Sequence, residues 1–194
     1  MKTLLAASFV WASLVCVSAQ SIIYPTDDGT VYYDGATTEN QYVLASPGDT
    51  EGDIHFASFN ASADSSIELE INPYGEPLFG SQVYVYGFGN ATALLNGSDY
   101  NAGTYLGTWN VAGLGFGQET FFDVTPFVKS VQGSYFGFEL QSDGTDVFSS
   151  TAYNLGNPPE LIVTAPEPST LALCLAGLGA VLLLFPARTR LAAR

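Results

Sequence analysis

Acidic residues cluster at three places in the chain, each with a glycine among them: 27–29, 49–53 and 143–146. Calcium prefers several carboxylate and carbonyl oxygens, and acidic loops can supply them. None of the three stretches has the EF-hand pattern. The sequence therefore makes calcium a possible cofactor, and the alternative is that these residues are solvated turn residues on an acidic surface. The candidate ligands are Asp49, Glu51, Asp53, Asp143 and Asp146.

His55 is the only histidine of the chain, and it falls within a predicted strand. A Ser-His-Asp or Cys-His nucleophilic system would have to use it. Both cysteines, Cys16 and Cys174, lie in the terminal segments, so a zinc site of histidine and cysteine ligands is excluded from the body. Carboxylate pairs could hydrolyse glycosides, but among 19 acidic residues such pairs arise by chance. We therefore predict a protein that is not an enzyme.

Aromatic residues make up 13% of the chain. Exposed rings can present flat faces to sugar rings, with Asn and Asp nearby as hydrogen-bonding partners. Tyr105 and Trp109 are the candidates to face a glycan. The alternative is that the aromatic rings fill the core and form cross-strand pairs.

Short strands must position these residues. The stretch 67–71 alternates apolar and acidic residues, as a half-buried strand does. Turn residues separate further candidates, at 21–24, 30–33, 41–44, 53–59, 82–88, 105–110, 119–124, 135–141, 147–150 and 161–164. One short helix is predicted after Thr125 as N-cap, with Pro126 at its first position. Strands without βαβ alternation predict an all-β fold, a jelly-roll-like β-sandwich with one short helix.

The 194 residues divide into three parts. Residues 1–19 have the charged start, apolar run and small-residue end of a signal peptide, with cleavage expected between Ala19 and Gln20. Residues 20–164 form the predicted β-sandwich domain, and residues 165–194 form a tail. Because neither cysteine lies in the body, no disulfide is expected there.

The charge of the body is strongly one-sided. Lys129 is its only basic residue, against eighteen of the chain's nineteen acids. Nucleic acids and anionic membranes need lysine and arginine at the contact, so they are excluded as partners of the body.

The tail begins with Pro166, Glu167 and Pro168. It then stays uncharged to residue 187, and a helix of that length spans about 30 Å, one hydrocarbon core. Three basic residues follow, which predicts a transmembrane helix with the body outside. They are Arg188, Arg190 and Arg194.

This order of parts resembles a PEP-CTERM sorting signal. The resemblance implies a bacterial exported protein whose tail is read and removed by an exosortase. A plain single-pass anchor is the alternative.

The body carries a second resemblance. Its motifs are similar to those of DNRLRE-type domains, which are secreted bacterial β-sandwiches related to carbohydrate-binding modules. The family often has an arginine before its central Phe-x-Phe strand, where this chain has His55 beside Phe56. The motifs lie at 28–32, 56–60, 122–128, 135–138 and 157–164.

Together these features predict a non-catalytic surface or extracellular-matrix protein, secreted or held at the cell surface. Its expected partners are the exosortase and secretion machinery, extracellular polysaccharide, and the membrane through the C-terminal helix before processing. One alternative is a stand-alone carbohydrate-binding module with a specific glycan ligand. A secreted hydrolase is the less favoured alternative.

Overall fold

Strands dominate the part of the chain that the structure, a computed structural model, describes: residues 19–39, 42–74, 79–89, 91–152 and 157–165. Within it the strands are β1 (Ala19–Ile23), β2 (Asp27–Tyr32), β3 (Thr37–Glu39), β4 (Val43–Ala45), β5 (Thr50–Ala57), β6 (Ser66–Ile71), β7 (Gln82–Gly89), β8 (Thr104–Asn110), β9 (Thr120–Asp123), β10 (Tyr135–Ser142), β11 (Asp146–Phe148) and β12 (Glu160–Ala165). The helix α1 spans Thr125–Ser130. The predicted all-β class with one short helix is confirmed.

The strands form two large sheets and one small one. The six-stranded sheet has the order β3-β2-β5-β10-β7-β8, and the four-stranded sheet has the order β1-β12-β6-β9. Strands β4 and β11 pair separately. The central strand β10 pairs antiparallel with β5 and with β7. Residues Gln20–Ala165 form one compact unit.

One hydrophobic core lies between the two large sheets. Alternate residues of β6, Ile67, Leu69 and Ile71, are buried in it, as the alternating sequence predicts. The opposing sheet contributes Phe138 and Leu140 of β10, among others. Burying each such side chain stabilises the fold by about 1.5–3 kcal/mol. Two antiparallel sheets around a shared core are the architecture of a β-sandwich.

The helix begins one residue away from its predicted start. Its N-cap is Val124, not Thr125, and the cap makes no side-chain hydrogen bond. The Thr125 hydroxyl instead donates to the carbonyl of Ile67 and accepts from its N–H, at 3.2 and 2.7 Å. The hydroxyl therefore attaches the helix to β6, because Ile67 lies just beyond the residues of β6 that pair with β9.

The predicted terminal segments fall mostly outside the described residues. Ala19 and Gln20, on either side of the expected cleavage, belong to β1, whereas residues 1–18 of the predicted signal peptide and residues 166–194 of the predicted tail lie outside the described residues. Within the described residues, no helix is long and apolar enough to cross a membrane.

Candidate functional site

The central strand β5 is buried on both faces. Ile54 and Phe56 point into the core, so the alternation of the strand directs Glu51, Asp53 and His55 to the opposite face of the sheet. All three are buried. We call this opposite side of the six-stranded sheet the outer face.

The acidic stretch 49–53 was expected to be a loop that leads into a strand at 53–59, and this is wrong for Glu51, because β5 already begins at Thr50. Glu51 and Asp53 both lie in β5, paired with β2 on one side and β10 on the other. Asp53 is opposite Glu139 of β10 in the register of the two strands. Gly52 and the neighbouring acids suggested a turn, but pairing on both sides holds the segment extended.

A covering segment, residues 91–103, lies over the outer face and donates backbone N–H groups to its carboxylates. Leu95 donates to Asp27 Oδ2 at 2.8 Å, and Gly103 donates to Glu139 Oε2 at 3.0 Å. Asn101 donates to Glu51 Oε1 at 2.5 Å and has a φ of 54°, in the left-handed region that few non-glycine residues adopt. These three backbone hydrogen bonds attach the covering segment to acids of the outer face.

Glu51 and Glu139 are joined through one amide. The Nε2 of Gln141 donates to Glu51 Oε2 at 3.2 Å and to Glu139 Oε1 at 2.6 Å. Burial raises the pKa of Glu51 to about 8, and a hydrogen bond to Glu139 and its charge act in the same direction. At neutral pH Glu51 therefore retains its proton.

Asp53 lies beside this pair and has no hydrogen-bond partner. Its exposure is 0%, and neither Oδ1 nor Oδ2 accepts a hydrogen bond. Burial raises its pKa well above the usual range, and the charges of Glu51, Glu139 and Asp99 raise it further. Burying a carboxyl without a hydrogen-bond donor costs free energy, because no protein group replaces the hydrogen bonds to water that it loses.

His55 lies near the same acids but supplies no positive charge. Its Nδ1 is 3.0 Å from the carbonyl oxygen of Thr92, and its Nε2 is 3.4 Å from Asp99 Oδ2. Burial lowers the pKa of His55, with Asp99 opposing the shift. A carbonyl partner assigns the hydrogen to Nδ1, so the ring is neutral at neutral pH. Its edge packs against Phe88, with ring centroids 5.4 Å apart.

The other calcium candidates lie elsewhere. Asp143 accepts the Ser81 hydroxyl at 2.6 Å and the N–H groups of Ser81 and Gln82 at 2.7 and 2.9 Å. These hydrogen bonds, the hydroxyl first, lower its pKa. Asp146 is in β11, not in a loop, and its Oδ1 accepts the N–H of Gly80 at 2.8 Å. These two acids anchor the chain that leads into β7. Asp49 is exposed before β5. Among the described residues, no three histidine, cysteine or acidic side chains are grouped as metal ligands.

A tyrosine face, formed by Tyr84, Tyr86, Tyr105 and Thr108, lies on the outer side of β7 and β8. A β-bulge creates it: Val85 pairs with Gly107, but the next residue, Tyr86, pairs with Tyr105. Leu106 is the extra residue of the bulge. A shift of one residue reverses the side to which the following side chains point, so Tyr105 lies on the outer side and not on the core side.

The two glycan candidates therefore have different places. Tyr105 is 53% exposed, its hydroxyl is 2.6 Å from that of Thr108, and its ring is 5.5 Å from that of Tyr86. Trp109 is only 6% exposed, and its ring packs against Phe122 in the core. The expectation that Trp109 faces a glycan is therefore wrong, because it lies on the core side of the bulge.

The sequence did not reveal the acids that complete the outer face. Glu139 and Asp99 were not among the candidates, and neither was Gln141. One signal was available for Glu139, since alternation with Phe138 and Leu140 places it on the polar side of its strand. No sequence signal places residues 91–103 over β5.

Comparison with known proteins adds no family. No family model matches the chain, and no curated protein matches it. Among solved structures the chain is similar to one from infectious bursal disease virus Gt strain, with 17% identity and a TM-score of 0.29. The match covers 78% of this chain and 34% of that one, so this chain spans about a third of the other's length. At that TM-score the likeness carries no conclusion about fold or function.

Proposed function

We propose that this chain is an exported, non-catalytic protein of a bacterial surface or extracellular matrix, whose jelly-roll-like β-sandwich associates with extracellular polysaccharide. The observation that carries the proposal is the tyrosine face. The resemblances to the PEP-CTERM signal and to DNRLRE-type domains point in the same direction.

The tyrosine face has the chemistry that neutral sugars require. Tyr105 offers an exposed ring, and Tyr86 supports that ring from the side. The hydroxyls of Tyr105 and Thr108 and the side chains of Tyr84 and Gln82 add donors and acceptors. A flat apolar ring surrounded by hydrogen-bonding groups suits the apolar face and the hydroxyl edge of a pyranose. The surface lies on the edge strand β8 and on its neighbour β7.

Affinity electrophoresis through gels that contain the polysaccharide of the producing cells tests this proposal. Wild type should be retarded, and Tyr105→Ala should bind about fivefold more weakly, the loss of one aromatic contact worth about 1 kcal/mol. Tyr24→Ala removes another exposed tyrosine and is the matched control. Equal retardation of all three proteins would count against the tyrosine face, and no retardation of wild type would count against glycan association.

The same surface also suits the alternative function, a carbohydrate-binding module with a specific glycan ligand. A glycan array distinguishes the two. Selective binding to one glycan class, lost in Tyr105→Ala, would favour the module, whereas broad weak binding would favour a matrix component.

The proposed export has its own test, mass spectrometry of the native protein. A mature chain that starts at Gln20 and ends near Pro166–Pro168 is expected if a signal peptidase and an exosortase process it. Recovery of residues 171–185 in the membrane fraction would instead favour the plain anchor.

A further inference from the structure

Three acids of the outer face and one acid of the covering segment, Asp99, converge where the segment lies over the sheet. We call Glu51, Asp53, Asp99 and Glu139 the carboxylate cluster. All four are buried, and the charges of the other three act on Asp53. Such a concentration of acids repels itself in a low-dielectric environment, so it needs a compensating positive charge or bound protons.

No side chain in the described part of the chain supplies that positive charge. The described residues include one lysine and no arginine. Lys129 Nζ donates to the carbonyls of Ala63 and Ser65, at 2.7 and 2.6 Å, beside α1. His55 is neutral where it lies, facing the Thr92 carbonyl and Asp99.

Three of the four acids have donors, and Asp53 has none. Glu51 and Glu139 receive N–H groups of the covering segment and the Gln141 amide. Asp99 Oδ2 receives the N–H of Asn96 at 2.7 Å. Asp53 is fully buried, projects from β5 into the cluster, and leaves both oxygens unpartnered. Two open carboxylate oxygens in the middle of an acidic cluster mark the position where a cation would bind.

We propose that the carboxylate cluster binds one calcium ion, with both oxygens of Asp53 as the central ligands. Glu51 and Glu139 are the further carboxylate ligands. Oxygen is the only donor element that these three side chains offer, which suits a hard cation. The Gln141 Nε2 that donates to both glutamates also donates to Asn101 Oδ1 at 3.2 Å, so this amide oxygen is nearby as a neutral ligand. In their present positions these acids are not grouped as metal ligands. Binding therefore requires Glu51 and Glu139 to turn from the Gln141 amide towards Asp53.

This site adjoins the tyrosine face, since Glu139 is opposite Tyr86 in the register of β10 and β7, but the proposal does not depend on glycan binding. The ion would hold the covering segment to the sheet, because Asn101 and Gly103 are already attached to Glu51 and Glu139. Of the acids suggested by the sequence, only Glu51 and Asp53 belong to it. Asp49, Asp143 and Asp146 do not.

Calorimetric unfolding of the full-length chain in a nonionic detergent tests the site. The protein is first treated with EDTA and then given calcium chloride. Saturating calcium should raise the Tm by about 5 °C or more, and a further excess of EDTA should reverse the rise. Isothermal titration should give one calcium ion per chain.

Asp53→Asn keeps the shape of the side chain and removes the central carboxylate. This variant should fold in EDTA and lose the calcium-dependent rise in Tm. Glu139→Gln is the second test and should weaken calcium binding at least tenfold. Asp64→Asn, at an exposed position, is the matched control and should respond as wild type does.

Three results would overturn the proposal. They are a wild-type Tm that calcium leaves unchanged, an Asp53→Asn variant that responds as strongly as wild type, and an Asp64→Asn variant that loses the response. The first would mean that protons alone neutralise the cluster. The second would place the ion elsewhere, and the third would mean non-specific binding to an acidic surface.

Discussion

Asp28 should make the protein less stable as the pH rises from about 4 to 7. The residue is fully buried in β2, where its carboxyl accepts the N–H and the hydroxyl of Thr151, at 2.8 and 2.9 Å. Burial raises its pKa from 3.8 to about 6, although both hydrogen bonds oppose the change. The folded state therefore holds a proton that the unfolded chain has already released.

The sign and size of the effect follow from proton linkage. Between the unfolded pKa of 3.8 and the folded pKa of about 6, the folded state binds more protons, so stability falls as pH rises. The loss begins near the lower value and is complete above the higher one. At 1.36 kcal/mol per pH unit, the difference corresponds to about 3 kcal/mol.

Asp28→Asn isolates this contribution. The amide oxygen can accept the Thr151 N–H, and the amide nitrogen can donate to the Thr151 hydroxyl, which in the wild type donates to Oδ1 of Asp28. At pH 4 the Asp28 carboxyl is largely protonated and therefore uncharged, like the amide that replaces it. The variant should then be within about 1 kcal/mol of wild type. Between pH 4 and 7.5 the variant should gain about 3 kcal/mol relative to wild type.

Urea denaturation of residues 20–165 at several pH values measures the difference. Trp109 is the only tryptophan in that stretch and is buried, so its fluorescence reports unfolding. Other buried acids affect both proteins and cancel in the comparison. Asp64→Asn is the exposed control and should differ from wild type by a constant amount. A constant difference for Asp28→Asn would refute the reasoning, as would a difference that shrinks with rising pH.

Two further predictions concern packing. Trp109→Ala should destabilise the fold by about 3–5 kcal/mol, because it leaves a cavity in the core. Tyr105→Ala, at an exposed position, should cost under about 1 kcal/mol. Similar urea midpoints for the two variants would contradict the faces assigned to these residues. Gly29→Ala should lower the free energy of unfolding by about 1–3 kcal/mol, since a Cβ there would lie 2.2 Å from the backbone oxygen of Thr38. Gly115→Ala is the control, because its Cβ would lie 3.8 Å from its nearest neighbour, the Gln118 side chain. Equal urea midpoints for the two variants would contradict the reasoning.

Most strands could be predicted because their alternation is local. The β6 segment, for example, alternates buried apolar residues with glutamates and needs no distant information. The short strand β3 was missed, since Thr37–Glu39 has no apolar residue to mark a buried side. The start of β5 was taken for a loop for a related reason. Its polar residues resemble a turn until β2 and β10 pair with it on both sides.

The candidate site depended on contacts between distant residues. Asn101 and Glu51 are 50 residues apart, and Gln141 and Glu51 are 90 apart. No spacing rule links such pairs, so Asp99, Glu139 and Gln141 could not be assigned to one site. The exposure of Tyr105 depended on a bulge at which β8 shifts register against β7, and neither strand alone encodes that shift.

The sequence by itself determined the all-β class, the single short helix and the acidic body without cysteine. It also determined that carboxylate oxygens and aromatic rings are the groups available for binding. These properties are local or compositional. Only the tertiary structure decided which polar side is covered, which acids meet, and that Tyr105 faces outward while Trp109 is buried. Alternation defines two faces for every strand, but sheet pairing, a bulge and the covering segment determine which groups on those faces meet water and which meet each other.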